Sequence, residues 1–511
     1  MNQNLFYGNK LMNKVTTVTK KAIFWIDAFT LPYCIAYNFQ KKFDGELYAV
    51  IDVTNKVKNF YLNQKLVNFK KSWFYNDSIN MRNNSNIEYL QKFEKKYDID
   101  LWNLALNERL LYLHNEYHNF SAEEIEKILT SECQFFEKIL DEINPDYLIT
   151  KETALHHNQL FYLMCKKRGV KILMLNNTKL GSKKYIISEN IYKIDSINIE
   201  LDQLPDRTFN ELQKLLKSDD SAVVLKKYVS KRASSKLQKI NALFNYIFNS
   251  KNDNIETHYS YFGRSKSTVL IKEFLNIFKR KTRKSFLDKN SYHSINFKEK
   301  FILFPLHQEP ERSLLIASPY FTNQLETIRH VAKSLPPGFR LYVKEHFSQS
   351  LREWRKPEYY KEILEIPNVK LIHPSFSMEN LIKNSSIVIA VSGTASFEAA
   401  FYEKPSILFT DMGFSKLSSV LVLKSINDLS NIIRKALCTK VDLKELNDYV
   451  HQIENQSFNF DFINYSLEEA NCFRYGGNYS DKDITSEQML SFLNDFDKIL
   501  NDLTNEFLKK L

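Results

Sequence analysis

Short apolar runs and amphipathic segments follow one another along the chain in the order of a parallel α/β protein. Apolar runs of about five residues have the length of strands buried on both faces of a sheet, and helical periodicity follows most of them. In the first part of the chain this pattern predicts strands over Ala22–Asp27, Leu47–Val53, Asp146–Thr150 and Val170–Leu175, and helices over Leu31–Lys42 and Leu155–Arg168. Gly169, directly before the last of these strands, is typical of a helix C-terminus.

A second block of the same kind begins at Phe301, with predicted strands over Phe301–Phe304, Arg340–Lys344, Val369–Ile372, Ile387–Val391 and Ser406–Phe409. The segment before this block and the tail after about Asn427 have helical periodicity. We therefore predict an N-terminal Rossmann-like domain over residues 1–200, a basic helical insertion over 201–300, a second Rossmann-like domain over 301–440, and C-terminal helices over 441–511. Residues 1–20 are expected to form a loose leader.

The segment Ile387–Phe409 carries the clearest functional signal. An apolar strand leads into the small-residue turn Ser392-Gly393-Thr394, a short helix begins near Ala395, and a second strand follows. Such a turn presents backbone N–H groups and a helix N-terminus at the carboxyl edge of a sheet, where nucleotide phosphates bind. Glu398 stands one position too late for a capping box, so its side chain is available for a ligand hydroxyl. Complementing the helix dipole is its alternative role.

Composition and charge narrow the class of protein. The 511 residues are 43% hydrophobic and 14% aromatic, which excludes an intrinsically disordered chain. The formal net charge of +11 is compatible with a nucleic acid, an anionic membrane or a phosphorylated substrate as partner. Because no helix-turn-helix, zinc-finger or RNA-recognition signature occurs, we predict no nucleic-acid partner.

The spacing of the cysteines and the motifs that the sequence lacks indicate which cellular compartment and which cofactors to expect. Five widely spaced cysteines favour a reducing compartment and argue against structural zinc or disulfides. The segment 22–39 is a poor signal peptide because Asp27 and Pro32 interrupt it, and no uncharged apolar run approaches about 18 residues. We therefore predict a cytoplasmic protein without a transmembrane helix. No nucleotide-binding glycine motif or His-Glu-x-x-His motif occurs, and the Asp-x-Asp matches at Asp98 and Asp495 have helical contexts, so neither a cofactor nor a metal is predicted.

Three motifs occur in a characteristic order: Phe304–Glu311, Tyr342–His346 and Val391–Glu398. Together they resemble the C-terminal half of bacterial capsular or surface polysaccharide biosynthesis proteins, a group that includes the CMP-Kdo-using capsule glycosyltransferases. The resemblance covers about residues 300–440 and is looser over Asp146–Ser188. It implies the α/β GT-B architecture, in which two Rossmann-like domains face a cleft, here with a helical insertion between them and a last helix able to cross back. UDP-sugar 2-epimerases share this architecture.

A nucleotide-sugar transferase has to stabilise a leaving phosphate, which a helix N-terminus, a lysine and a histidine can do without a metal. The predicted donor site comprises Gln308, Lys344, His346, Ser392, Gly393 and Thr394 around the phosphate and Glu398 at the ribose. The family pattern Lys-x-His-Pro lacks its proline here, since Phe347 follows His346, so His373 of the pair His373-Pro374 is an alternative ligand. A solvated strand end for Lys344 and a polar loop residue for His346 are the structural alternatives.

An inverting transfer also needs a general base, which this architecture supplies from the N-terminal domain. Glu152 is the first candidate, His156 the second and Asp27 the third; a surface cap and the first turn of a helix would equally explain the first two. The segment Lys266–Lys284 combines an apolar stripe with six or more basic residues. It is predicted either to lie on an anionic membrane or to pack on the protein with a solvated basic side.

These inferences predict a glycosyltransferase that moves a sugar from a CMP- or UDP-linked donor to a capsular polysaccharide or lipid-linked acceptor. The transfer is expected to be inverting and metal-independent, in the cytoplasm or at the inner face of the cell membrane. A UDP-sugar 2-epimerase-like isomerase and a non-catalytic capsule-assembly protein are the alternatives.

Overall fold

The structure is a computed structural model that describes residues 19–79, 81, 84–190, 205–218, 236–250, 258–351 and 354–511. Most of the predicted leader, and the parts of the predicted insertion at 201–204, 219–235 and 251–257, lie outside the described residues. Within the described ranges the strands form two sheets, of seven and six strands, which confirms the predicted α/β class with two Rossmann-like domains.

The first sheet has the strand order β13-β6-β5-β4-β1-β2-β3. Strands β1 to β5 run parallel, whereas β6 pairs antiparallel with β5, and β13 pairs antiparallel with β6 at the edge of the sheet. The apolar central strands are buried on both faces, as expected of a parallel sheet covered by helices. The strands are β1 Lys20–Asp27, β2 Gly45–Asp52, β3 Phe69–Phe74, β4 Tyr147–Lys151, β5 Lys171–Asn177, β6 Lys184–Ser188 and β13 Phe458–Asn459.

The second sheet has the order β12-β11-β10-β7-β8-β9 and is parallel throughout. The strand order reverses beside β7, which is the point where open α/β sheets bind ligands outside their carboxyl ends. Its strands are β7 Phe301–Pro305, β8 Arg340–Lys344, β9 Val369–Ile372, β10 Val388–Ala390, β11 Ser406–Leu408 and β12 Val420–Val422.

Helices cover both sheets and connect them. In the first domain they are Leu31–Phe39, Asn55–Asn63, Tyr75–Ser78, Ile87–Tyr97, Leu101–Leu106, Ala122–Ile143 and His156–Lys167. The connecting region has Phe209–Ser218, Lys236–Phe244 and Lys266–Asn290. The second domain has Arg312–Leu315, Gln324–Ser334, Pro357–Leu364, Met378–Asn384, Ala395–Phe401, Leu429–Cys438 and Leu443–Gln456, and the tail has Phe462–Phe473, Ser486–Asp495 and Asp497–Leu508.

The end of the chain returns to the first domain. Strand β13 pairs with β6, and the three tail helices bury apolar side chains such as Tyr465, Phe492 and Phe507 in the same core as Phe24 and Tyr33. The preceding helix, Leu443–Gln456, instead packs into the core of the second domain. The chain therefore crosses between the domains near residue 458, because the apolar stripes on the two sides of this point match different sheets.

A candidate donor site between the two sheets

The carboxyl edges of the two sheets face each other. Arg312 follows β7, and its guanidinium lies 3.2 Å from the carboxylate of Glu152, which follows β4. The same guanidinium donates a hydrogen bond to the carbonyl of Thr153. A pocket of about 200 Å³ lies at this interface, lined by Leu113 and His114 of the first domain and by Glu309–Glu311, Leu314, Leu315, Thr322 and Asn323 of the second. The two domains thus enclose a cleft at the edge where parallel sheets bind ligands.

The turn after β10 lies in this region, but the side chain of His307 occupies part of the space beside it. The Ser392 N–H donates to His307 Nε2 at 3.2 Å, and the Ser392 hydroxyl donates to the carbonyl of Ser313 at 2.6 Å. A Cβ atom at Gly393 would approach His307 Cε1 to 3.3 Å, so glycine lets the turn pack on this ring. Burial, together with the nearby Arg355 guanidinium, lowers the pKa of His307 to about 3, so the ring is neutral and its Nε2 can accept the Ser392 N–H. In this arrangement the Ser392 amide is bonded to His307, and its contact with a phosphate stays a prediction.

The rest of the turn is more open. Gly393 and Thr394 are half-buried, and within the described ranges their amides make no hydrogen bond. The helix Ala395–Phe401 begins where predicted, and Glu398 is its fourth residue. The Thr394 hydroxyl donates to Glu398 Oε1 at 3.0 Å, which orients the carboxylate at the start of this helix.

His346 follows β8 and contributes an N–H donor. Its Nδ1 atom accepts a hydrogen bond from the Ser348 amide at 3.3 Å and lies 2.6 Å from the Ser348 hydroxyl. That hydroxyl donates to Gln308 Oε1 at 2.7 Å, so both predicted donor-site residues share one partner. Burial lowers the pKa of His346 to about 4, with Lys344 and Arg355 adding to the shift, and the ring is neutral.

Lys344 and His373 are both bonded to groups of the protein other than the turn after β10. Lys344 is buried, and its Nζ donates to the carbonyls of Glu345 at 3.2 Å and Pro374 at 3.3 Å. It therefore ties the ends of β8 and β9 together. His373 ends the edge strand β9, three strands and about 14 Å from Ser392 at the usual strand spacing. Its Nε2 lies 3.1 Å from Asp288 and its ring stacks on His293, so it belongs to a different surface.

A buried ion-pair network supports the loops of the second domain. Arg355 lies between Glu345, at 2.9 Å, and Glu309, at 2.5 Å, and it also donates to the carbonyl of His307. Tyr360 donates to Glu345 at 2.7 Å. Burial opposes the charged form, but the two carboxylates outweigh it and hold the pKa of Arg355 well above its ordinary value. This network fixes the His307 loop against β8.

Two of the predicted bases lie at the carboxyl edge of the first sheet. Glu152 is partly exposed and paired with Arg312 across the cleft. Asp27, at the end of β1, lies 2.8 Å from Lys151 and accepts the Phe29 amide at 2.9 Å. Both carboxylates pair with cations, and Glu152 is the one that faces the opposite domain.

His156, the other predicted base, is enclosed in the first domain. Its Nδ1 lies 3.0 Å from Glu108 and its Nε2 lies 2.9 Å from Glu132, and all three side chains are buried. Burial opposes protonation, but Glu132 and Glu108 outweigh it and raise the pKa of His156 to about 10. A histidine that is charged at neutral pH, with both nitrogens bonded to carboxylates, does not suit a general base.

The neighbouring His157 completes this polar cluster. Its Nε2 lies 2.8 Å from Asp52, and its ring stacks on Tyr75 at 4.3 Å. Glu132, His156 and His157 offer ligand atoms within 4.8 Å of one another, a spacing that would suit a metal ion. Both nitrogens of His156 are bonded to carboxylates in the structure, so the group is explained as an ion-pair cluster.

Sequence reasoning placed His307 only in a loop expected to face the cleft, and it assigned no role to Arg312 or Arg355. The first two stand in or beside the Phe304–Glu311 motif, which was the available signal, but their partners lie in other motifs or in the other domain. The sequence around Arg355 carries no motif. The role of Arg355 depends on Glu345 and Glu309, which come from two separate loops.

The comparison with known protein families agrees with the resemblance that the three sequence motifs predicted. Residues 203–416 match the family described as capsule polysaccharide biosynthesis protein, so the match begins well before the predicted boundary near residue 300. No curated protein matches the chain.

Solved structures that resemble the chain do so only weakly. The UDP-GlcNAc 2-epimerase of Methanocaldococcus jannaschii is 12% identical, with 85% of this chain and 99% of that chain covered and a TM-score of 0.24. The β-Kdo 2,7 transferase of Thermosulfurimonas dismutans KpsC is 14% identical, with 75% and 95% covered and a TM-score of 0.31. Such TM-scores support no functional argument, and the fold assignment depends on the sheet topology itself. The predicted resemblance to the capsule polysaccharide biosynthesis proteins is thus confirmed over residues 203–416.

Proposed function

We propose that this protein is a GT-B-type glycosyltransferase of capsule or surface polysaccharide synthesis that uses a nucleotide-sugar donor. The observation that carries the proposal is the cleft in which the carboxyl edges of two parallel sheets meet, bridged by Arg312, Glu152 and Thr153. Ligands of open α/β sheets bind at this edge, and two such edges can present a donor and an acceptor to each other.

The donor would bind at the second domain. The amides of Gly393 and Thr394 would contact its phosphate, and the ring N–H of His346 would add a donor from the end of β8, two strands from β10. Glu398 would accept a ribose hydroxyl, replacing or sharing its bond from Thr394. Neutral N–H and O–H groups directed at a developing negative charge stabilise it without a metal, which supports the proposed metal-independent transfer.

The acceptor would bind at the first domain, with Glu152 as the general base of an inverting reaction. Its carboxylate is partly exposed and lies at the cleft, whereas Asp27 is held by Lys151 within one domain. Binding of the acceptor would have to compete with Arg312 for this carboxylate. Asp27 is the second candidate.

A thermal-shift screen against CMP, CDP, UDP and GDP tests the donor site. One nucleotide is expected to raise the Tm of the wild type, since a ligand that binds only the folded state stabilises it. Glu398→Gln should weaken the binding of that nucleotide by about tenfold or more, because the hydrogen bond to a charged acceptor is lost. The control Glu365→Gln removes an exposed carboxylate of the same domain and should leave the affinity unchanged. Absence of any shift, or equal affinity in Glu398→Gln, would contradict the assignment.

Single-turnover measurements with the nucleotide-sugar identified in this way test the base. Glu152→Gln should lower the rate of sugar transfer by about a hundredfold or more with little change in donor affinity. Arg312→Gln breaks the same ion pair but keeps the carboxylate, so it should retain most of the rate. Equal losses in both variants would mean that the pair joins the domains and that Glu152 is not the base. Conversion of a UDP-sugar without acceptor would favour the isomerase instead.

A further inference from the structure

Two neighbouring helices present their apolar side chains to solvent. The first is Lys236–Phe244, continued by the π-helical turn Asn245–Asn249, and the second is Lys266–Asn290. Lys266 Nζ donates to the carbonyl of Ile247 at 3.1 Å, so the helices adjoin. Their exposed large apolar residues, from about a third to two thirds accessible, are Leu237, Ile240, Leu243, Phe244, Ile247, Phe248, Ile271, Phe274, Leu275, Ile277 and Phe278. So many exposed apolar side chains on two adjoining helices mark an interaction surface.

The first helix is attached to the protein by its small and polar side. Gln238 lies against Gly476, where an added Cβ would come within 2.9 Å of its Oε1 atom. Ala242 is buried, and the Tyr246 ring packs edge-on against Tyr479 with centroids 5.6 Å apart. The amphipathic arrangement is therefore the reverse of that in a helix that covers a globular core.

The first half of the second helix has the same reversed orientation. Lys272 Nζ lies 4.3 Å above the ring of Tyr117, Asn276 is buried, and Lys279 lies 3.7 Å from Glu116. These polar side chains face the protein, whereas Phe274 and Phe278 of the same turns are more than half exposed.

Further along the helix the orientation becomes ordinary. Arg283 donates to the carbonyl of Trp354 at 2.8 Å, and Leu287 is buried in the core of the second domain. The apolar face that points to solvent is thus confined to the first half of the helix, before the turns that pack on that domain. The sequence-based alternative of a helix that packs on the protein with a solvated basic side differs from this result, since part of the basic side packs inward.

Positive charge accompanies the apolar face. Residues 266–284 contain seven lysines and arginines and one glutamate, and Arg280, Lys281 and Lys284 are exposed beside the apolar stripe. An apolar face flanked by exposed cations is complementary to a lipid surface with anionic headgroups.

We propose that the apolar face of these two helices inserts into the surface of an anionic lipid bilayer and holds the protein there. The helices would lie in the interface, because among the described residues no helix is long and apolar enough to cross a membrane. Tyr117 and Glu116, which contact the second helix, follow the pocket-lining Leu113 and His114 in the same loop. The bilayer would therefore adjoin the cleft and favour a lipid-linked acceptor. That last consequence depends on the proposed function, whereas lipid binding itself does not.

Sedimentation with vesicles tests the proposal. The wild type should bind vesicles of equal parts phosphatidylglycerol and phosphatidylcholine, and bind less to pure phosphatidylcholine or at high salt. Phe274→Ser combined with Phe278→Ser should weaken binding by at least about tenfold, since each phenylalanine contributes buried apolar area. Arg280→Ala with Lys281→Ala should weaken binding to the anionic vesicles only. The control Leu62→Ser removes a similarly exposed apolar side chain from the first domain and should bind as the wild type does.

Two further measurements make the result decisive. The emission of a Phe274→Trp variant should shift to shorter wavelength on the anionic vesicles, and the Tm of the serine variant should equal that of the wild type because exposed residues are replaced. Equal vesicle binding by wild type and both double variants would overturn the proposal. So would a wild-type dimer that the serine variant converts to a monomer, because the face would then be covered by a second copy of the chain.

Discussion

Replacing Arg355 with leucine is expected to lower the free energy of unfolding by about 3–5 kcal/mol, because it leaves buried carboxylates without their cation. Glu345 is fully buried, and the Tyr360 hydroxyl and the neighbouring His346 amide would remain as its donors. Chemical denaturation of wild type and variant by urea measures the difference.

A surface ion pair of the same domain serves as the control for Arg355. Arg329 lies 3.2 Å from Glu326 and 2.5 Å from Glu362 and is partly exposed, so Arg329→Leu should cost less than about 1 kcal/mol. Adding Glu345→Gln to Arg355→Leu should recover part of the lost stability, since the orphaned charge is removed. If both arginine variants cost the same, Arg355 does not support the His307 loop as inferred.

The stability of the wild type is expected to fall by several kcal/mol as the pH rises from about 6.5 to about 10, because His156 loses its proton. The folded-state pKa of His156 lies above its unfolded value, so its contribution is complete below about pH 6.5. The pKa of Glu108 is lowered to about 2: burial opposes the shift, and the bonds from His156 outweigh it. Its contribution is present above the unfolded value and is lost as the pH falls through about 2. The cluster therefore stabilises the fold most in the mildly acidic range.

Urea denaturation of wild type and His156→Gln at about pH 6 and about pH 9 checks this prediction. The variant should be less stable than the wild type at the lower pH and should lose less stability at the higher pH. His118→Gln provides a control, since His118 pairs with Glu124 at the surface of the same domain at 3.1 Å. A wild type and His156→Gln variant with the same pH dependence would show that the imidazolium is absent from the folded protein.

Much of the architecture could be predicted because each element depends on a local run of residues. Strands β8 and β9 have the predicted limits, and the helix Ala395–Phe401 begins at the predicted residue. A short apolar run can be buried on both faces only in a sheet that helices cover. Glycine and proline residues end helices through the conformation of their own backbone. The turn Ser392-Gly393-Thr394 was recognisable for the same reason.

The site was only partly predictable because hydrogen-bond partners come from distant parts of the chain. Lys344 follows its motif but turns back to Pro374, and the Ser392 amide is bonded to His307 rather than open to a ligand. His156 occupies the predicted end of a strand, yet Glu108 and Glu132, which make it a buried cation, come from other elements. No local pattern contains this information.

By itself the sequence determined most of the parallel strands of both sheets, their order along the chain and the carboxyl edges at which chemistry can occur, since these follow from apolar periodicity and turn residues. Only the tertiary structure decided which polar groups at those edges remain available for a ligand. Whether each group already has a hydrogen-bond partner depends on residues elsewhere in the chain. It also decided that Phe274 and Phe278 face outward, since a helix periodicity gives an apolar side but not the surface against which that side will lie.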